Sequence, residues 1–142
     1  MDGKKMEIVQ ISEKEFIVGG NRSSIIGDNI IHVVASGEQT SELARLQFEM
    51  DSKLASLIDG KVNYLIDLNK AGKNSPEARS IWTRITENEN TNKVAIYGLN
   101  PVARVLASFV MGVTKKKDFR FFMTKEDALN WIMEENPKNN QE

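Results

Sequence analysis

Two stretches of this chain follow the same plan, and that repetition restricts the fold more than any other feature. Val62-Asn63-Tyr64-Leu65-Ile66-Asp67-Leu68 is an almost unbroken apolar run, short enough for a strand buried on both faces. Shortly after it, Ser75-Pro76-Glu77 marks a helix start. Serine caps the first amides, proline at the first helical position loses no needed donor, and glutamate suits the positive end of the helix dipole. Lys93-Val94-Ala95-Ile96-Tyr97 repeats the strand, and Gly98-Leu99-Asn100-Pro101 repeats the capped start. Successive strand-helix units return to one sheet by crossovers, which places the strands parallel and the helices on the faces.

The remaining segments extend this frame. Ile8-Val9-Gln10-Ile11 and Phe16-Ile17-Val18 are β-type runs, the second ended by Gly19-Gly20-Asn21. Ser24-Ile25-Ile26 and Ile30-Ile31-His32-Val33-Val34, joined across Gly27-Asp28-Asn29, read as a hairpin. After Gly37, Thr40 or Ser41 can cap a long amphipathic helix with Leu43, Leu46, Met50, Leu54 and Leu57 at helical spacing, ended by Asp59-Gly60. A loop over 69–74 leads to the Ser75 helix, whose buried stripe is Ala78, Ile81, Trp82 and Ile85. The Pro101 helix ends near Gly112, before Lys115-Lys116-Lys117. Phe119-Arg120-Phe121-Phe122 is a last strand, and Thr124 with Asp127 resembles a capping box opening a helix that Asn136-Pro137 stops. The expected architecture is a single α/β domain, an N-terminal β-hairpin joined to a mainly parallel central sheet flanked by about four helices. Residues 1–21 form a strand-like extension, 22–135 the domain and 136–142 a flexible tail.

Composition narrows the function. One hydrophobic core suffices for 142 residues, and 40% hydrophobic with 27% charged side chains suits an ordinary globular chain. Nineteen basic against twenty acidic side chains leave a net charge of -1, without the basic footprint of a nucleic-acid binder. The chain has no cysteine and one histidine, His32, so disulfides, thiolate sites and multi-histidine metal sites are excluded. No cofactor is expected. Neither a signal-peptide core nor a run of about 18 apolar residues is visible, so the expected location is cytoplasmic, with no membrane span.

Residues 30–37, Tyr64-Leu65-Ile66-Asp67-Leu68, the run from Lys93 to Pro101 and the run from Phe122 to Ile132 together resemble the SpoIIAA-like family. The resemblance covers about residues 22–135, and that family lies in the STAS and CRAL-TRIO-type structural neighbourhood. The most telling part is the last, a strand end followed by Thr124, charges, and Ala128-Leu129-Asn130-Trp131. The resemblance implies a non-catalytic module that binds a protein partner, or itself, or a small apolar ligand; relatives include anti-anti-sigma factors switched by serine phosphorylation. Asn74-Ser75 is the nearest match to that switch, which makes Ser75 the candidate phosphorylation site. It departs from the pattern: Asn74 stands for an aspartate, Pro76 for a second serine, and the following glycine is absent. The residues themselves read Ser75 as a helix cap.

Two surfaces stand out as candidate sites. The first is the edge where the strands ending at Leu68 and Tyr97 run into helices, because ligands of open α/β sheets sit outside the carboxyl ends of strands. There Asn69, Lys73, Ser75, Arg79, Asn100 and Arg104 are positioned to hold an anionic ligand or a partner's carboxylates. Arg79 and Arg104 lie in first helical turns, where the dipole disfavours a cation. The alternative is that both arginines reach into solvent or pair with Glu77 or Asp67.

The second surface is the Pro101 helix. Val102, Val105, Leu106, Phe109 and Val113 form its expected core stripe, and Ala103, Ala107, Val110 and Met111 carry apolar surface on around the cylinder. Such a helix is buried on several sides or presents Ala107, Val110 and Met111 to a partner, a second subunit or a lipid-like ligand. The neighbouring lysines suit acidic head groups. His32, Trp82 and Trp131 read as structural, and Asp67, the best carboxylate for acid-base work, has no partner at recognisable spacing, so no enzyme is expected.

Overall fold

The computed structural model describes residues 7–114 and 118–134. Within these residues, seven strands and four helices follow one another as β1 (Ile8–Ser12), β2 (Glu15–Val18), β3 (Asn21–Ile26), β4 (Ile30–Gln39), α1 (Ser41–Ser56), β5 (Val62–Asn74), α2 (Pro76–Thr86), β6 (Thr91–Tyr97), α3 (Pro101–Val113), β7 (Phe119–Phe122) and α4 (Lys125–Met133). The strands form one sheet in sequence order, β1 to β7. The lysine loop 115–117, the Asn136-Pro137 stop and the tail 136–142 lie outside the described residues.

The sheet is mixed, and this corrects the expectation of a mainly parallel one. β1 to β4 pair antiparallel, β4 to β7 parallel, so three of the six joints are of each kind. The reason is local: short turns connect each of the first four strands to the next, and without a helical crossover the chain must reverse. The single hairpin read from the sequence is a four-stranded meander, with β1 and β2 added at its outer edge.

The second correction concerns 69–74, read as a loop. β5 runs on through these residues because β4 does the same beside it: Ser36 pairs with Lys70, Gly37 with Ala71 and Gln39 with Asn74. Backbone approach is close there. A Cβ on Gly72 would stand 3.2 Å from the Glu38 nitrogen, so only glycine fits without displacement. Gln39 anchors the extension, accepting from Asn21 Nδ2 at 2.8 Å and donating to the Gly37 carbonyl at 2.9 Å.

Alternation along β5 sends Ile66 and Leu68 to one side of the sheet and Leu65 to the other. The first side carries α1, α2 and α3, with Phe16, Val18, Ile31, Val33 and Ile96 against Leu43, Leu54, Ile81, Trp82 and Leu106. The second carries α4, where Ala128, Trp131 and Ile132 cover Ile30, Leu65, Ala95 and Tyr97. The helix starts follow the sequence reading. Thr40, Ser75, Asn100 and Thr124 each accept from a backbone amide of their helix's first turn.

α3 is rotated by about one residue from its expected orientation. Its buried stripe is Ala103, Leu106, Ala107 and Val110, a full i, i+3, i+4, i+7 pattern. Val105 and Val113, expected in the core, are 60% and 50% exposed. The small side chains win because they allow close approach at the end of β6, where a Cβ on Gly98 would lie 3.3 Å from the Ala103 Cβ. A ranking by hydrophobicity prefers valine, whereas close packing here requires alanine.

Candidate functional site

The carboxyl ends of β5 and β6 are fastened to each other by asparagines. Asp67 Oδ1 accepts from the Asn69 amide at 2.9 Å and from Asn69 Nδ2 at 3.0 Å, and Asn69 Oδ1 accepts from the Leu99 amide at 3.0 Å. Asn100 caps α3 and also donates through Nδ2 to the carbonyls of Leu68, at 3.2 Å, and Ala71, at 2.7 Å. Asn69 and Asn100 therefore position the strand ends, and their hydrogen bonds are directed inward. Ser75 is similarly engaged: its Oγ accepts from the Ala78 amide and lies 3.0 Å from Ser41 Oγ, which ties the start of α2 to the start of α1.

Between the start of α2 and α3 lies a groove of about 330 Å³, lined by Lys73, Asn74, Arg79, Pro101, Val102, Val105 and Leu106. One wall is aliphatic and the other carries two cations. Glu77, a sequence candidate to neutralise Arg79, is taken by Arg45, whose Nη1 donates to both carboxylate oxygens at 2.8 Å. That guanidinium holds the Glu77 carboxyl below its ordinary range. Arg79 lies over the Phe109 ring, 5.0 Å from its centroid, and its Nε is shut off from solvent with no acceptor. A buried donor left unmade costs about 1–3 kcal/mol. Arg79 is thus the site's least satisfied cation.

The structure separates residues that the sequence reading grouped. Arg104 is on the other flank of α3, 5.6 Å from the Phe121 ring centroid, beside a cavity of about 440 Å³ that Ala107, Ser108, Met111, Phe122 and Met123 also line. It does not join Lys73 and Arg79. Ala107 and Val110, expected on the docking surface, are 1% and 0% exposed and belong to the core. Met111 is 50% exposed, as that surface requires. Val105 and Pro101 were not among the candidate residues; the signal that finds them is the alternative alanine stripe, which turns Val105 outward.

His32 lies on the α4 side of the sheet with its Nε2 3.1 Å from Tyr97 Oη. Burial, then Lys125, lowers its pKa, while Asp67 opposes. Tyr97 is raised by burial and by Asp67. Trp82 donates to Asn74 Oδ1 at 3.2 Å within the core. Among the described residues no three His, Cys, Asp or Glu side chains cluster as metal ligands, and no helix is long and apolar enough to cross a membrane.

A buried carboxyl was missed by sequence reading. Asp51, 1% exposed on α1, accepts from Gln47 Nε2 at 3.1 and 3.2 Å, and Gln47 Nε2 also donates to Ser23 Oγ on β3. Burial pushes the Asp51 carboxyl up to about 7, against the hydrogen bonds from Ser23 and Gln47. The available signal was an acid beside Met50 and Leu54, four residues beyond a glutamine, on the helix's apolar side.

No curated protein matches this chain. Among solved structures, a protein of the DUF3478 family from Shewanella loihica PV-4, described as having a SpoIIAA-like fold, superposes with a TM-score of 0.56 at 20% identity. The match covers 92% of this chain and 98% of that one. At that identity the likeness establishes the fold, which agrees with the sequence resemblance; nothing in it bears on a CRAL-TRIO relationship. Residues 24–136 match the model of a domain of unknown function, DUF7793. With four-fifths of its length so matched and its sheet and helices arranged as described, this chain belongs to the DUF7793 family and has a SpoIIAA-like fold.

Proposed function

We propose that this protein is a non-catalytic binding module of STAS type, and that it engages a protein partner through the outward surface of α3 and the adjoining start of α2. One observation carries the reading. The buried stripe of α3 is complete without Val105, Met111 and Val113, yet all three remain half or more exposed on one helix. Val105 lines the α2–α3 groove and Met111 the cavity beside Arg104, so α3 exposes apolar surface on both of its flanks, and exposed apolar surface of this kind marks interaction sites. Lys73, Arg79 and Arg104 surround that surface, so the complementary partner is apolar and acidic.

The variants Met111→Lys and Val113→Lys test this. Both positions are solvent-facing, so folding is retained, and the partner held by the wild-type protein is released by both. A partner retained equally by wild type and variants contradicts the reading. A second reading, a carrier or sensor of a small lipid-like ligand, is favoured by the α2–α3 groove, one wall of which is aliphatic.

A further inference from the structure

We infer that the α2–α3 groove is a receptor for an aliphatic carboxylate, a free medium-chain acid whose head group is held by Arg79 and Lys73. The inference rests on the reading of this face as a binding surface and names a ligand for its groove. The two walls differ in kind. Pro101, Val102, Val105 and Leu106 offer aliphatic contact, and facing them are Lys73, Asn74 and Arg79. Neither cation has a carboxylate partner among the described residues, because Glu77 is bound by Arg45. Arg79 Nε is desolvated without an acceptor, and its guanidinium is steadied over Phe109. A guanidinium already fixed in place loses little further freedom on meeting an anion at its outer N–H groups.

The chemistry excludes other occupants. A purely apolar ligand leaves the charges of Lys73 and Arg79 uncompensated on one wall, and a cation is repelled by both basic side chains. A highly charged ligand such as a nucleotide wastes the aliphatic wall. A carboxylate accepts from a guanidinium in a planar, directional arrangement, and its chain lies along Val102 and Val105.

The test is titration of the full chain with sodium octanoate, followed by backbone amide NMR, with 1-octanol as the neutral probe of equal length. The expected result is saturable shifts at Lys73, Val102, Val105 and Leu106, with octanol bound at least about tenfold more weakly, the value of one lost charge-assisted contact. Arg79→Gln lowers octanoate affinity by a similar factor. Should that variant fold poorly, Val105→Glu supplies the same test from an exposed position by placing a like charge in the groove. Equal affinity for octanoate and octanol overturns the inference, as do shifts confined to other surfaces. So does binding of a short acidic, leucine-rich peptide without octanoate, which assigns the cations to a partner's side chain. Met111→Lys keeps octanoate binding, so a failed groove and a failed docking surface give different results.

Discussion

Asp51 is the residue whose environment departs most from its chemistry. A carboxyl with an ordinary value of 3.8 is held at about 7 because α1 and the sheet remove it from water. The folded chain therefore keeps a proton that the unfolded chain releases. Between about pH 4 and pH 7 the folded state binds more protons, so stability falls as pH rises through that window and levels off above it. A carboxyl raised from 3.8 to about 7 opposes folding by about 4 kcal/mol at pH 8. Asp51→Asn keeps the shape without the charge. It flattens the pH dependence and raises stability at pH 8 by about 2–4 kcal/mol, measured by urea unfolding across pH 4–8; an unchanged slope contradicts the assignment. Ser75 illustrates a residue that was legible: serine before proline read as a cap, and it caps. Ser75→Ala should cost about 1 kcal/mol of stability in the same assay. Asp51 was not legible, because a lone acid in a helix reads as solvated surface unless the sheet opposite is known.

At the scale of elements, α3 separates what periodicity reveals from what packing decides. That residues from Pro101 to Val113 form an apolar helix was plain from the sequence. Which side faces inward was not, since two overlapping stripes satisfied the same period and the close approach of β6 selected the alanines. Val110→Lys buries a charge in a fully enclosed position and should unfold the chain at room temperature or cost more than about 3 kcal/mol. Met111→Lys, one residue on, should change stability by less than about 0.5 kcal/mol. Thermal melts of the two variants side by side distinguish the orientations: similar losses contradict the one described. The extension of β5 over 69–74 was illegible for another reason. Lys70, Gly72, Lys73 and Asn74 have turn-like composition, and only their pairing with Ser36 to Gln39 makes them a strand.

At the scale of the molecule, one sheet carries three helices on one side and one on the other, and the site follows from that imbalance. Crossovers place the starts of α2 and α3 side by side at the carboxyl ends of parallel strands, where the groove opens. The meander at the other end is part of the same core: Phe16 and Val18 of β2 are fully buried in it. Phe16→Ala should accordingly cost about 3–5 kcal/mol in urea unfolding. The SpoIIAA-like arrangement was legible as an ordered series of strand ends and caps. The balance of parallel and antiparallel joints was not, because the runs at Ile8–Ile11 and Phe16–Val18 were read as a strand-like extension and not as further antiparallel partners of the sheet.

The central claim, that the outward surface of α3 binds a protein partner, is tested most directly by quantitative affinity capture with the wild-type chain, Met111→Lys, Val113→Lys and the control Met133→Lys. Met133, on α4, is 68% exposed and so also solvent-facing. The account predicts a partner held in fixed stoichiometry by wild type and control and lost from both α3 variants, with Met111 and Val113 protected from hydrogen exchange in the reconstituted complex. The same partner held at the same stoichiometry by all four proteins would contradict it.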